Sequence, residues 1–222
     1  MSTFSNRIII CGTDTDVGKT IVSSLIVQGL QANYWKPVQS GLEEGGDTGR
    51  VCRLLNLSSD RWHEEAYKFK APVSPHWAAE KEEIKIEQDN LKIPETKKFL
   101  IIETAGGLMV PLTRNLMQIE QIQLWQLPVI LVARSELGTL NHTLLSLEAL
   151  NNRGINVLGI FLNGPSHSDN PRTLEQIGKV PIIGHLPILS KITKQNLAYQ
   201  SKSQNLQDIF KKLLEIEIMQ YE

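Results

Sequence analysis

Residues 7–30 carry the pattern that most constrains the fold: RIIIC (7–11), the loop GTDTDVGKT (12–20) and the stretch KTIVSSLIVQGL (19–30). The first run is short and β-branched, so it reads as a buried strand. The third places Ile21, Val22, Leu25, Ile26 and Leu30 at helical spacing. Between them, Gly12, Gly18, Lys19 and Thr20 fill every fixed position of G-x-x-x-x-G-K-[ST]. Glycine lets such a loop turn its N–H groups toward a phosphate, and the helix N-terminus behind it adds partial positive charge. Lys19 then reaches the outer phosphates, and the Thr20 hydroxyl is placed to ligate Mg2+.

The rest of the chain repeats the same alternation. KFLIIE (98–103), LPVILVA (127–133), NVLGIFLN (156–163) and VPIIGHL (180–186) read as buried strands, and YWKPV (34–38) as a short one closed by proline. TGRVCRLLNL (48–57), MQIEQIQLWQ (117–126), LNHTLLSLEALNN (140–152) and NLQDIFKKLLEIEIM (205–219) read as helices. Near-continuous apolar strands alternating with helices predict an α/β fold. Its central sheet is mostly parallel and covered by helices on both faces, in three layers. Residues 58–97 are polar and carry prolines at 72, 75 and 94, so only a helix or two is expected there. With no repeat, low-complexity segment or linker, one domain over 1–222 is expected.

Composition narrows the function. The net charge of −1 offers no basic field for nucleic acid or an anionic membrane. No apolar run approaches the ~20 residues of a membrane span, and MSTFSNRIII is too short in its apolar part for a secretory leader, so a cytoplasmic location is expected. Cys11 and Cys52 lack metal-ligand spacing, and the histidines form no H-x-H or H-x-x-x-H pair.

In a parallel α/β sheet, ligands bind beyond the carboxyl ends of the strands. Glu103 ends one strand and is followed by TAGG, a segment open to close approach by phosphate. Asp47 follows EEGG just ahead of a helix, where it reads equally as a helix N-cap or a metal ligand. Thr20, Asp47 and Glu103, with phosphate oxygens and water, form a suitable Mg2+ set. Lys36 in YWKPVQSG reads by itself as a solvated strand end. A GTPase is disfavoured, because TKQN (193–196) lacks the aspartate of a base-reading motif. A partition-type ATPase is disfavoured, because positions 13–16 are Thr, Asp, Thr and Asp rather than carrying an early second lysine. A small-molecule kinase or ligase with polar residues at further strand ends remains.

Taken in order, GTDTDVGKT, KPVQSG, APVSPHWAA, ETAGGLMVPL, LPVILVA, LGTLNHTLL and the asparagine of FLNG cover nearly the whole chain. In these segments the sequence resembles the dethiobiotin synthetase family of P-loop proteins. The resemblance implies a homodimeric ligase of biotin biosynthesis that uses ATP, Mg2+ and CO2. It carboxylates 7,8-diaminononanoate and closes a cyclic urea through a carbamate and a carbamic-phosphoric anhydride. It implies Lys36 and Lys19 as catalytic cations. An unperturbed lysine, with a pKa near ~10.4, is a poor base at neutral pH, so electrostatic stabilisation is the expected role of Lys36.

The resemblance also implies a nucleotide set. It comprises Asp16, Val17, Gly18, Lys19, Thr20 and Ile21; Asp47; Glu103, Thr104, Ala105 and Gly106; Asn163 and Gly164; and Pro187, Ile188 and Leu189. The implied substrate set is Ser40, Thr13 and the helix-opening Gly138, Thr139, Leu140 and Asn141, the last four reaching from a partner subunit to the distal carboxylate. Three positions depart from the family pattern. Asp16 stands where glutamate is common, Thr104 where glycine is common, and Gly164 where an acidic residue is common.

Overall fold

The computed structural model describes residues 6–220, with side chains through residue 214. The start of the leader reading and both ends of the single-domain reading, residues 1–5 and 221–222, lie outside the described residues. In chain order the elements are β1 (Arg7–Gly12), α1 (Lys19–Leu30), β2 (Asn33–Trp35), β3 (Val38–Ser40), α2 (Gly46–Leu55), β4 (Trp62–His63), β5 (Tyr67–Phe69) and α3 (Pro75–Lys81). They continue with β6 (Leu100–Glu103), β7 (Pro111–Thr113), β8 (Leu116–Met117), α4 (Gln118–Trp125), β9 (Val129–Arg134), α5 (Thr139–Asn151), β10 (Val157–Asn163), α6 (Asn170–Gly178), β11 (Ile182–Leu186), α7 (Lys194–Ser203) and α8 (Leu206–Gln220).

A seven-stranded sheet runs in the order β11-β10-β9-β1-β6-β2-β4. Every ladder in it is parallel. Alternate residues of each strand feed opposite layers of the core, as the pleat requires. Ile8, Ile10, Tyr34, Ile101, Ile130 and Val132 pack toward α1, α7 and α8. Ile9, Cys11, Trp35, Ile102, Val129 and Leu131 pack toward α4, α5 and α6. Each fully buried isoleucine or leucine contributes about 1.5–3 kcal/mol relative to exposure. Both faces of the sheet are therefore sealed, and the buried Lys19, Lys36, Glu103 and Thr104 lie at its carboxyl edge.

Several elements differ from the sequence expectations. The strand expected at 34–38 splits. β2 ends at Trp35, Lys36-Pro37 leaves the main sheet, and β3 pairs instead with β5. Proline removes a ladder donor, so the chain exits the sheet there. The region 58–97 holds the short strands β4 and β5 as well as α3. Helices α6 and α7 were not anticipated, and the expected terminal helix is preceded by α7.

Candidate active site

The loop from Gly12 to Gly18 joins β1 to α1 at the carboxyl edge of the sheet. α1 begins at Lys19 with Gly18 as N-cap at φ 92°, and no side chain caps it among the described residues. Its first N–H groups are left for a ligand. Gly18 is required twice over. A positive φ of that size strains any other residue, and a Cβ there would lie 2.1 Å from Asn163 Nδ2. Asn163 donates that Nδ2 to Val17 O at 3.0 Å, pinning the phosphate loop to the end of β10. Lys19 is buried and donates to Asp14 O at 2.8 Å, folding back across its own loop. Burial first, and the neighbouring Lys36 charge second, lower its pKa to about 8.

Register brings the remaining charges in. Ile10 pairs with Glu103 and Trp35 with Ile102, so Glu103, the last residue of β6, and Lys36, the first past β2, lie side by side. Lys36 is buried, against its reading as a solvated strand end. Its Nζ donates to Asp47 Oδ2 in a close ion pair and to Glu103 Oε1 at 3.2 Å. Burial pulls the Lys36 pKa down, but Glu103 and then Asp47 more than offset it, and the net shift is upward. Lys36 is thus an ammonium at neutral pH. For Asp47, burial pushes upward, and the charge and hydrogen bond of Lys36 prevail and hold its carboxyl below the ordinary value.

Asp47 is not the N-cap of α2. Gly45 holds that position, and Asp47 sits in the first turn with its side chain on Lys36. Its backbone N–H is held by Gln39 Oε1 at 3.0 Å, while Gln39 Nε2 donates to Ser40 O and Gly41 O. Thr20 Oγ1 donates to Glu103 Oε1 at 2.7 Å, and Tyr34 OH donates to Glu103 Oε2 at 2.9 Å. Burial, then Glu103, raise the Tyr34 pKa well above its ordinary value, so it is a neutral donor. Among the described residues no group of three or more His, Cys, Asp or Glu is poised for a metal. Two carboxylates converging on one cation beside a hydroxyl nevertheless fit Mg2+, which takes oxygen ligands and completes its shell with phosphate and water.

These groups line a cleft of about 590 Å3. Of the residues singled out in the sequence, it brings together Asp16, Gly18, Lys19, Thr20, Ile21, Lys36, Ser40, Asp47, Glu103, Ala105 and Gly106. Ser40 Oγ is buried and finds no hydrogen-bond partner among the described residues. Asp16 adopts φ 56° in the loop, and Lys36 takes its carboxylate partners from Asp47 and Glu103 instead. Thr104 fits without left-handed backbone. It is buried, bonded through its N–H to Ile10 O, and the positive φ of the segment falls at Gly106.

The other predicted residues lie outside the cleft lining. Thr13 is tied by its N–H to Val132 O, and Val17 is fully buried beneath the loop. Asn163 ends β10 and Gly164 follows it, where His185 Nε2 meets Gly164 O at 2.8 Å, and Pro187, Ile188 and Leu189 follow β11. Gly138 takes φ 92° as N-cap of α5, with Thr139, Leu140 and Asn141 in its first turn. The Thr139 hydroxyl is spent on Arg134 O, so it does not cap the helix. Tyr34, and Gln39 and Arg50 of the cleft lining, were missed by sequence reasoning. For Tyr34 a signal existed, since two-residue alternation sets it on the same side as Lys36.

The model of an AAA domain family matches residues 6–196. The chain is 44% identical over 193 residues to the ATP-dependent dethiobiotin synthetase BioD of Nitrobacter hamburgensis, covering 87% of this chain and 91% of that one. It is 47% identical to the protein of the same name from Agrobacterium fabrum, with the same coverage. The cell division ATPase MinD of Pyrococcus furiosus superposes with a TM-score of 0.55 over 94% of this chain and 99% of that one. At 16% identity that likeness shows a shared α/β fold and no more. Identity near one half over most of both chains is a far closer relation, and by it the chain belongs to the ATP-dependent dethiobiotin synthetase family.

Proposed function

We propose that this protein carboxylates 7,8-diaminononanoate with CO2 at the cost of ATP and closes the product to the cyclic urea dethiobiotin, in biotin biosynthesis. The observation that carries the reading is Lys36, held as a buried ammonium between Asp47 and Glu103 in the same cleft as the phosphate-loop Lys19. The reaction brings two anions together, a carbamate and a triphosphate, and a second fixed cation offsets their repulsion.

One substrate amine adds to CO2 and loses a proton, giving the carbamate. A carbamate oxygen attacks the γ-phosphorus, the bond to the bridging oxygen breaks, and ADP leaves. The second amine then attacks the carbamoyl carbon, inorganic phosphate departs taking up the proton that this amine loses, and the ring closes. Lys36 stabilises the charge that develops between carbamate and γ-phosphate. Its raised pKa argues against a role as proton acceptor. Lys19 and the uncapped N–H groups of α1 hold the β- and γ-phosphates. Thr20, Asp47 and Glu103 would hold Mg2+, which supplies charge neutralisation across the phosphates when bound. The unpartnered Ser40 hydroxyl is available to the amine or carbamate end of the substrate.

Asn163, Gly164 and Pro187–Leu189 are assigned to base and ribose, with Asp16, Val17, Ile21, Thr104, Ala105 and Gly106 around the phosphates. Thr13 and the segment Gly138–Asn141 are assigned to the substrate. The uncapped first turn of α5 and the fully exposed Leu137 beside it support presentation of that segment to the site of a second copy, hence a homodimer. A single cytoplasmic domain completes the proposal, and no helix among the described residues is long and apolar enough to cross a membrane.

The test is direct. Protein is incubated with ATP, Mg2+, the diamine and 13C-bicarbonate, and the product is weighed. One labelled carbon in a cyclic urea is expected, with ADP formed in step. ATP turnover that ignores the diamine, or that survives removal of CO2, would overturn the assignment.

A further inference from the structure

Glu103 ends β6 fully buried, and it has one more rotatable bond than an aspartate at the same place. Two oxygens compete to face the cleft, and the sheet register decides between them. Tyr34 pairs with Ile101, and Ile101 shares a face of the sheet with Glu103, two residues on. Tyr34, Ile101 and Ile10 accordingly pack in the same layer, under α1. Two residues of strand rise about 6.6 Å, a span that a phenol side chain covers. The Tyr34 hydroxyl reaches Glu103 Oε2 at 2.9 Å, while Thr20 and Lys36, both in the cleft lining, hold Oε1. The carboxylate is therefore divided, with one oxygen facing a buried neutral donor and the other facing the cleft.

We propose that Tyr34 is a positioning residue for the Mg2+ site. Its buried hydroxyl anchors Glu103 Oε2 so that Oε1 is the oxygen presented to the metal and the triphosphate. The inference rests on the reading of the cleft as an ATP–Mg2+ site. Tyr34 is not in the cleft lining and acts through Glu103. Without the hydroxyl, Oε2 is left unpaired in the interior, and the carboxylate is free to rotate and offer either oxygen. Phenylalanine is the informative replacement, because it keeps the ring that fills this part of the core.

The experiment compares wild type with Tyr34→Phe by Mn2+ titration followed by electron paramagnetic resonance, in the presence of a non-hydrolysable ATP analogue and without turnover. Loss of an outer partner of a metal ligand characteristically weakens metal binding by about 10–100-fold. That range is expected here, together with unchanged affinity for the metal-free nucleotide and recovery of turnover at high Mg2+. A packing defect would not be relieved by metal. Wild-type metal affinity in Tyr34→Phe, or an equal loss of metal-free nucleotide binding, would overturn the proposal. Should Tyr34→Phe fold poorly, wild-type protein gives a second measurement. The Tyr34–Glu103 bond is already made in the free protein, so the tyrosine-donor signature in ultraviolet resonance Raman should be kept when Mg2+ and the nucleotide analogue are added, and its loss on metal binding refutes the anchor. If wild type makes no cyclic urea but Tyr34→Phe still loses metal, the reaction assignment falls and this inference stands. Cyclic urea from wild type with unaltered metal binding in Tyr34→Phe overturns this inference alone.

Discussion

Replacing Lys36 by alanine separates the two things this side chain does. In the free protein it neutralises Asp47 and Glu103, so its loss leaves two carboxylates facing each other with no cation between them. Breaking a buried pair by removing one partner costs about 3–5 kcal/mol. The cost here is smaller, because Glu103 keeps its bonds from Tyr34 and Thr20, and the Asp47 side chain is 29% exposed. About 2 kcal/mol is a fair figure at neutral pH, and for a chain of this size that lowers Tm by about 4–8 °C. The pH dependence has a definite sign. The depressed Asp47 pKa stabilises the wild type above the carboxylate's unfolded pKa, and that contribution fades as pH falls through the folded value. The raised Lys36 pKa stabilises below 10.5 and fades as pH rises through its folded value. The gap between wild type and Lys36→Ala is therefore widest between about pH 4 and 10 and closes in acid. Mg2+ should narrow it at pH 7, since a divalent cation answers the same carboxylates. In turnover, losing a group that meets charge developing in the transition state costs about 10²–10³-fold in kcat, with little change in ATP affinity. Differential scanning calorimetry across pH and MgCl2, paired with steady-state kinetics, reads both effects. A variant that melts like wild type whatever the Mg2+, or whose ATP affinity falls as far as its kcat, would refute the reasoning.

Two further expectations concern the phosphate loop. Burial and Lys36 hold the Lys19 pKa at about 8 in the free protein, and a bound triphosphate favours its charged form, so nucleotide binding should take up protons at pH 9 but not at pH 6.5. Calorimetry in buffers of different ionisation heat measures that uptake, and equal uptake at both pH values would contradict it. Gly18→Ala forces a Cβ into left-handed backbone at about 1–2 kcal/mol and drives it against Asn163 Nδ2. A lowered denaturation midpoint and weaker nucleotide binding are expected, and wild-type values for both would show that the loop has another resting shape.

How much of this was legible in the sequence depended on whether a residue's partner is local. The phosphate loop was legible because Gly18, Lys19 and Thr20 are consecutive in sequence and sit at the start of the helix they open. α6 and α7 were invisible for a converse reason. The one buries Asn170 and Leu174 and the other Leu197 and Ser201, too few apolar positions to make a periodic stripe. β4 and β5, of two and three residues, exist by virtue of the partners they pair with rather than their own composition. The site itself lies between these extremes. Lys36, Asp47 and Glu103 could each be placed at the end of an element, but which ends adjoin is a property of strand order. β6 enters between β1 and β2, joining residues 10, 34 and 103 across gaps that no local pattern spans. Tyr34 shows the consequence. Alternation assigns its face, yet its function comes from a glutamate 69 positions away. Had β6 formed at the sheet edge, Lys36 would have lacked its Glu103 partner and been left with Asp47 alone.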